Sequence, residues 1–208
     1  MYSPNTTIST FLDAAAAKQP SPGGGSVAAL VGALAAAMGE MVVNYSVGKK
    51  GLEAHQGDLR EALDEFTRAR GLLLALMVED QNAYESLTAA RKLPEGSPER
   101  QSKFPVALLA SIRTPQAISA TAAAVLGLCD GLVSIVNYYL LSDLAVAADL
   151  AMATVRCGVY NVRVNLADVT DPAERHGIEA ELGQVLANSA LVIQRVIPQV
   201  WARHAQGK

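Results

Sequence analysis

The chain has 208 residues, half of them apolar and 18% charged, a balance that excludes intrinsic disorder and suits one folded domain. Its net charge of −3 at pH 7 gives no general attraction to nucleic acid, so we expect no nucleic-acid partner. The first ten residues, MYSPNTTIST, carry neither the basic nor the apolar segment of a secretion signal. We therefore expect a cytoplasmic protein whose two isolated cysteines stay reduced.

Clusters of glycine, proline and aspartate divide the chain into helical segments. The periodicity between them predicts helices at about 7–18, 26–47, 52–91, 98–128, 142–167 and 172–204. Pro105 and Pro115 should kink or divide the fourth helix. No stretch alternates apolar and polar residues for long enough to indicate a strand. The sequence thus predicts an all-α fold, a single domain over residues 1–208 that forms a bundle of about six helices.

A glycine triplet precedes the second predicted helix, in KQPSPGGGSVAALVGALAAAMGE. Without a Cβ, Gly23 to Gly25 let a ligand or another chain segment approach their backbone closely. Ser26 is a suitable N-cap, and the free N–H groups of a helix N-terminus favour an anion or a carbonyl oxygen. The loop lacks the Gly-Lys-Ser/Thr ending of a P-loop, which excludes an ATP site of that kind. A plain turn between helices is the alternative.

The second helix is rich in small residues. Ala, Gly and Val dominate it, and Glu40 interrupts the apolar run, so it indicates a core helix and no membrane partner is expected. Small residues at three- and four-residue spacing, such as Gly32 and Gly39, let a second helix approach closely, from this chain or from another subunit. Lys49 and Lys50 follow the helix. They either complement the helix dipole or attract a carboxylated substrate.

The third helix carries an unusual acid on its apolar face. That face is formed by Leu59, Leu63, Phe66, Arg70, Leu73, Met77, Asp80, Tyr84 and Leu87. Burying an ionised carboxylate without a partner costs several kcal/mol, roughly, so a buried acid needs a reason. Asp80 is either half of a structural ion pair, with Arg70 or another arginine, or a catalytic carboxylate that faces a pocket between helices.

Polar residues in the later helices have structural and functional explanations. Asn137 lies in an apolar setting where an amide needs a partner, while Ser142 and Asp143 suit the first turn of the fifth helix. Asn161 and Asn165 share a helix face, where they either bind a heterocycle or hold helices together. The three histidines are far apart and have no other ligand nearby at metal-binding spacing, so we predict no metal.

These residues occur in an order that resembles a known family. The matching segments are FLDAAAAKQPSPGGGSVAALVGALAAAMGEMV, VGKK, VEDQNAYESLTAARKLP, RTPQAI, NYYLLSDLAVAADLA and YNVRVNLADVTD. They resemble the cyclodeaminase/cyclohydrolase family of folate enzymes, which includes the cyclodeaminase half of formiminotransferase-cyclodeaminase and stand-alone bacterial methenyltetrahydrofolate cyclohydrolases. The resemblance covers most of the chain, from FLDAAAA near the N-terminus to DVTD.

The resemblance implies specific roles for residues. The acid at the Asp80 position is catalytic in that family. The loop from Pro22 through Gly23, Gly24 and Gly25 to Ser26 is expected to contact the folate substrate. Lys49, Asn137, Ser142 and Asp143 are further expected substrate contacts, and the family implies a homodimer of helical subunits. Three features depart from the family pattern: Val136 replaces a usual glycine, NYYLLSD is bulky, and Phe104-Pro105 replaces a more polar helix start.

The expected reaction is hydrolysis of 5,10-methenyltetrahydrofolate to 10-formyltetrahydrofolate, with Asp80 as general base and no cofactor. One alternative is deamination of formiminotetrahydrofolate. Another is a catalytically silent helical dimer that binds folate, with Asp80 in a structural ion pair. The enzymatic hypotheses require Asp80 to face a solvent-reachable cavity bordered by the glycine loop.

Overall fold

The computed structural model describes residues 1–207 and contains helices and loops only in that range. The prediction of an all-α fold with six helices is confirmed, and each predicted boundary lies within about four residues of the observed one. The α-helices are α1 Ile8–Ala16, α2 Gly24–Asn44, α3 Gln56–Arg91, α4 Pro98–Leu132, α5 Leu141–Asn165 and α6 Pro172–Ala205. Short 3-10 turns at Glu53–His55, Tyr138–Leu140 and Leu166–Asp168 precede or follow them.

Side-chain caps mark the start of three helices. Oxygen atoms of Thr7, Ser97 and Asp171 accept hydrogen bonds from backbone N–H groups in the first turns of α1, α4 and α6. These caps satisfy donors that have no partner within the helix. Helix α2 differs, because it follows Gly23 and has no side-chain cap. The predicted N-cap role of Ser26 is therefore wrong.

Helix α2 is the central helix and packs mainly against α3 and α5. A Cβ on Gly32 would lie 2.9 Å from Thr154 Cγ2 of α5, and a Cβ on Gly39 would collide with the Phe66 ring of α3. The close approach predicted from the small residues is therefore made by helices of the same chain. By length and composition α2 could span a membrane, but 56% of its most apolar stretch is buried inside the protein.

The neighbours of α2 run antiparallel to it. Gly24, at its N-terminus, lies beside Asn161 near the end of α5, whereas the Tyr45 carbonyl after its C-terminus accepts a hydrogen bond from Asn137 ahead of α5. A helix of 21 residues is about 30 Å long at 1.5 Å per residue. The bundle therefore has two distinct ends, one at the glycine loop and one at Lys49.

Helix α4 is continuous through both of its internal prolines, Pro105 and Pro115. Of the two predicted outcomes, a kink or a division, the division does not occur, because α4 packs against α3 and α5 and these contacts hold it together. Each proline lacks an N–H, so the carbonyl four residues earlier loses its helical donor. For Pro115 that carbonyl belongs to Ser111, which faces the site described next.

Candidate active site

Asp80 lies on α3 directly beneath the first turn of α2. The Ser26 hydroxyl donates a hydrogen bond to Asp80 Oδ2 at 2.9 Å and lies 3.2 Å from the Met77 carbonyl oxygen. Ser26 is fully buried, so its hydroxyl has no access to water. The physical role of Ser26 is to hold the Asp80 carboxylate in place through Oδ2.

The ion-pair explanation of Asp80 does not hold. Arg70 Nε instead donates to Glu40 Oε2 of α2 at 2.7 Å, and none of the ion pairs within residues 1–207 includes Asp80. Burial raises the pKa of Asp80, and the hydroxyl and backbone N–H of Ser26 oppose this only in part. Asp80 is therefore a desolvated carboxylate without a counter-ion, which is typical of functional acids.

The glycine triplet brings backbone against the Asp80 carboxylate. A Cβ on Gly25 would collide with that carboxylate, and a Cβ on Gly24 would lie 3.1 Å from Asn161 Oδ1. Only glycine lets α2 start this close to both side chains. The N–H groups of Gly24 and Gly25 open the helix without a side-chain cap, so they are available as donors beside the acid.

A cleft of about 210 Å³ opens between the glycine loop, α3, α4 and α5. Asp80 faces this cleft, as the enzymatic hypotheses require. Its other polar or aromatic walls are formed by Ser21, Gln81, Tyr84, Arg91, Ser111, Asn161 and Asn165. A larger cavity of about 750 Å³ between α4 and α6 lacks Asp80, and Asp168 on its wall pairs with Arg91 of the Asp80 cleft.

The structure divides the predicted substrate contacts of the glycine loop into two groups. Gly23, Gly24 and Gly25 line the cleft. Pro22 and Ser26 are buried and do not line it. Their contact with the substrate stays a prediction, and Ser26 meets the cleft only through its hydrogen bond to Asp80.

The remaining predicted contacts lie at the other end of the bundle. Lys49 Nζ donates to Asn137 Oδ1 at 2.6 Å and lies 5.2 Å from the centre of the Tyr139 ring. Ser142 and Asp143 are in the first turn of α5, and Ser142 caps nothing. Within one chain these four residues do not join Asp80, because α2 and α5 separate the two ends.

Three functional candidates were missed or left undecided by sequence reasoning. Asn161 and Asn165 line the cleft, and their spacing of four on one helix was the available signal. Arg91 lines it too, held by Asp168 at 2.5 Å. No sequence pattern connects Arg91 with an acid 77 positions away. No group of three His, Cys, Asp or Glu residues within positions 1–207 is arranged to hold a metal ion.

Comparison with known proteins identifies relatives over nearly the whole chain. Residues 7–184 match the sequence model of the formiminotransferase-cyclodeaminase family. A methenyltetrahydrofolate cyclohydrolase from Methylorubrum extorquens is 32% identical, over 94% of this chain and 96% of that protein. The formimidoyltransferase-cyclodeaminase of Sus scrofa is 30% identical over 95% of this chain, which covers 37% of that longer protein.

A solved structure agrees with these sequence matches. The crystal structure of formiminotetrahydrofolate cyclodeaminase from Thermotoga maritima superposes with a TM-score of 0.88 and 30% identity, over 95% of this chain and 97% of that one. A chain with this fold, the uncapped glycine turn and a half-buried acid thus matches the sequence of one family from α1 into α6. The protein belongs to the formiminotransferase-cyclodeaminase family.

Proposed function

We propose that the protein is a folate one-carbon enzyme that hydrolyses 5,10-methenyltetrahydrofolate to 10-formyltetrahydrofolate, with Asp80 as general base. The observation that carries this proposal is a desolvated carboxylate that forms no ion pair with any of residues 1–207 and faces a cleft at an uncapped helix N-terminus. The relative from Methylorubrum extorquens, a methenyltetrahydrofolate cyclohydrolase of almost the same length, supports the choice of reaction.

The chemistry needs a negative charge next to a cationic carbon. Methenyltetrahydrofolate carries an amidinium carbon between N5 and N10. Water adds to this carbon while Asp80 takes one of its protons, which gives a neutral carbinolamine. The C–N5 bond then breaks, N5 receives a proton, and the hydroxyl becomes the formyl oxygen on N10. The balance of the whole reaction is one water consumed and one proton released.

The surroundings of Asp80 suit a base that is charged when the substrate is bound. Burial raises its pKa, whereas the substrate cation would lower it by direct attraction. The N–H groups of Gly24 and Gly25 can hydrogen-bond the oxygen that develops on the carbinolamine. We assign the acceptance of the proton of water to Oδ1, because the Ser26 hydroxyl bonds Oδ2.

We also propose a homodimer in which each cleft is completed by the partner. Helices α2 and α5 expose apolar side chains along their length, among them Leu34, Tyr160 and Val164, and Tyr45 directly after α2 is exposed as well. Val164 is 74% exposed and also lines the cleft, so the cleft opens beside this surface. A two-fold axis that sets α2 antiparallel to its copy would bring the Lys49 end of one subunit to the Asp80 end of the other.

The size of the cleft favours this arrangement. Pockets that enclose a drug-sized ligand measure about 300–1,000 Å³, so 210 Å³ suits a ring system but not a whole folate. The glutamate tail would then extend toward the partner, where Lys49 can bind its carboxylates. Asn137, Ser142 and Asp143 keep their proposed role as substrate contacts in this composite site. No metal, cofactor, membrane or nucleic acid is required, and we propose a cytoplasmic location.

Deamination of formiminotetrahydrofolate is the second candidate, favoured by the similarity to the Thermotoga maritima cyclodeaminase. N10 adds to the formimino carbon and the C–N bond to the departing ammonia breaks, which forms the same amidinium carbon, so one carboxylate could serve either reaction. The third hypothesis, a silent folate-binding dimer, required Asp80 to be sealed in an ion pair. It loses that support, because Asp80 has no such partner among residues 1–207 and faces the cleft.

The direct test follows the methenyl chromophore of 5,10-methenyltetrahydrofolate in a buffer where uncatalysed hydrolysis is slow. Wild type should accelerate its loss and Asp80→Asn should not. Asp64→Asn, an exposed acid on the same helix, is the matched control and should behave as wild type. Without acceleration by wild type, ammonia release from formiminotetrahydrofolate tests the second candidate. Inactivity in both assays would leave the silent binding protein.

A further inference from the structure

The side-chain amides of Asn161 and Asn165 have a fixed orientation in the cleft. Asn161 Nδ2 donates to the Cys157 carbonyl at 2.8 Å, and Asn165 Nδ2 donates to the Ser111 carbonyl at 3.1 Å. A flip of either amide would set oxygen against oxygen, so the assignment follows from the hydrogen bonds. Within residues 1–207 neither Oδ1 atom receives a hydrogen bond from the protein.

Pro115 explains why Asn165 is held. It has no N–H, so the Ser111 carbonyl, four residues earlier in α4, lacks its helical donor. Ser111 is buried, and an unpaired buried carbonyl is costly. The Asn165 amide supplies the missing N–H from α5. Asn165 therefore cannot turn its amide nitrogen toward the cleft without leaving the Ser111 carbonyl unpaired.

Gly24 explains the position of Asn161. The site where its Cβ would stand is 3.1 Å from Asn161 Oδ1 and 3.3 Å from Nδ2, so the amide packs directly on the glycine backbone. The neighbouring Gly25 packs in the same way on Asp80. The carboxylate and the Asn161 amide are therefore positioned by consecutive residues of one helix turn.

We propose that Asn161 and Asn165 bind the pterin ring of the substrate through their Oδ1 atoms, which accept hydrogen bonds from its amino and ring N–H groups. This inference rests on the proposed function. A reduced pterin carries an exocyclic amino group and ring N–H groups along one edge, and these donors need acceptors when the ring leaves water. The two amides select a ring with such an edge and orient its one-carbon bridge toward Asp80.

Several other polar groups of the cleft already have protein partners or cannot accept a hydrogen bond. Gln81 uses both ends of its amide on the Tyr2 backbone, at 2.7 Å each. The Ser111 hydroxyl donates to the Leu108 carbonyl, and Arg91 has only donors. Asp80 can accept, but its free oxygen is needed for water. Among the side-chain amides of the cleft, Asn161 and Asn165 are thus the ones whose oxygens have no protein donor within residues 1–207.

The test compares Asn161→Ala and Asn165→Ala with wild type on two substrates. One is 5,10-methenyltetrahydrofolate and the other is its analogue with a methyl group in place of the 2-amino group. Loss of an acceptor opposite a buried donor should raise KM for the normal substrate about 10- to 100-fold, with kcat changed less than about threefold. For the analogue, KM should change less than about threefold in at least one of the two variants. Asn188→Ala, an exposed asparagine on α6, is the matched control.

The outcomes separate this inference from the proposed function. If wild type turns over the normal substrate and both variants keep its KM, or raise KM equally for both substrates, ring recognition by the amides is refuted. The equal rise would indicate a purely structural role. If wild type itself turns over neither methenyl- nor formimino-tetrahydrofolate, the proposed function fails first. Calorimetry then measures the binding of 5-formyltetrahydrofolate, which decides whether the protein has a folate site with these contacts or no folate site.

Discussion

Gly25→Ala should separate activity from stability in this protein. The added Cβ would stand 2.8 Å from Asp80 Oδ2, well inside the ordinary contact distance of 3.4–4 Å, and still closer to the other carboxylate atoms. The carboxylate is the far end of a rotatable side chain, so it can move away by roughly 1 Å and give up the Ser26 hydrogen bond. Such a displacement of a catalytic group costs about 10²-fold in rate.

The stability cost of the same change is smaller. Losing one hydrogen bond and relieving a local overlap should lower the free energy of unfolding by about 1–3 kcal/mol. Gly71→Ala, a glycine of α3 with open space around it, is the control, and it should gain up to about 1 kcal/mol from helix propensity. The measurements are kcat/KM by loss of the methenyl chromophore and urea unfolding. A Gly25→Ala enzyme within twofold of wild-type kcat/KM would refute the argument that backbone packing positions Asp80.

Three more predictions follow from the same structure. Because burial raises the pKa of Asp80, the native state binds the carboxyl proton more tightly than the unfolded state does. The free energy of unfolding therefore falls as the pH rises from the ordinary pKa of an aspartate through the raised pKa of Asp80. Asp80→Asn should therefore raise Tm at pH 7 while abolishing activity, and an unchanged Tm would contradict this. Gly39→Ala should cost about 1–3 kcal/mol through the Phe66 ring, with kcat unchanged in the folded fraction, as urea unfolding and the chromophore assay will show. Subunits carrying Asp80→Asn can be mixed with subunits carrying Lys49→Ala and allowed to exchange. If the site is shared, about one quarter of wild-type activity should return, because half of the dimers are mixed and each mixed dimer has one intact site. No recovery after exchange would exclude the shared site.

The sequence by itself determined the helices and the unusual position of Asp80. Helix periodicity and chain breakers are local signals, so six helices could be located within about four residues. The same periodicity marks which face of α3 is buried, and an acid on that face is visible without any structure. The glycine and alanine spacing of α2 likewise indicated close helix packing, which Gly32 and Gly39 make with α3 and α5.

Only the tertiary structure decided which residues meet across helices. Arg70 pairs with Glu40 of α2 rather than with Asp80, which lies ten residues farther along α3, about 15 Å at 1.5 Å per residue. Ser26 reaches Asp80 across 54 positions, and Asn165 reaches Ser111 across another 54. Lys49 and Asn137 also meet, but at the end of the bundle away from Asp80. Periodicity indicates which side of each helix is buried, but it does not determine the axial register of packed helices. That register determines which side chains lie within hydrogen-bond distance.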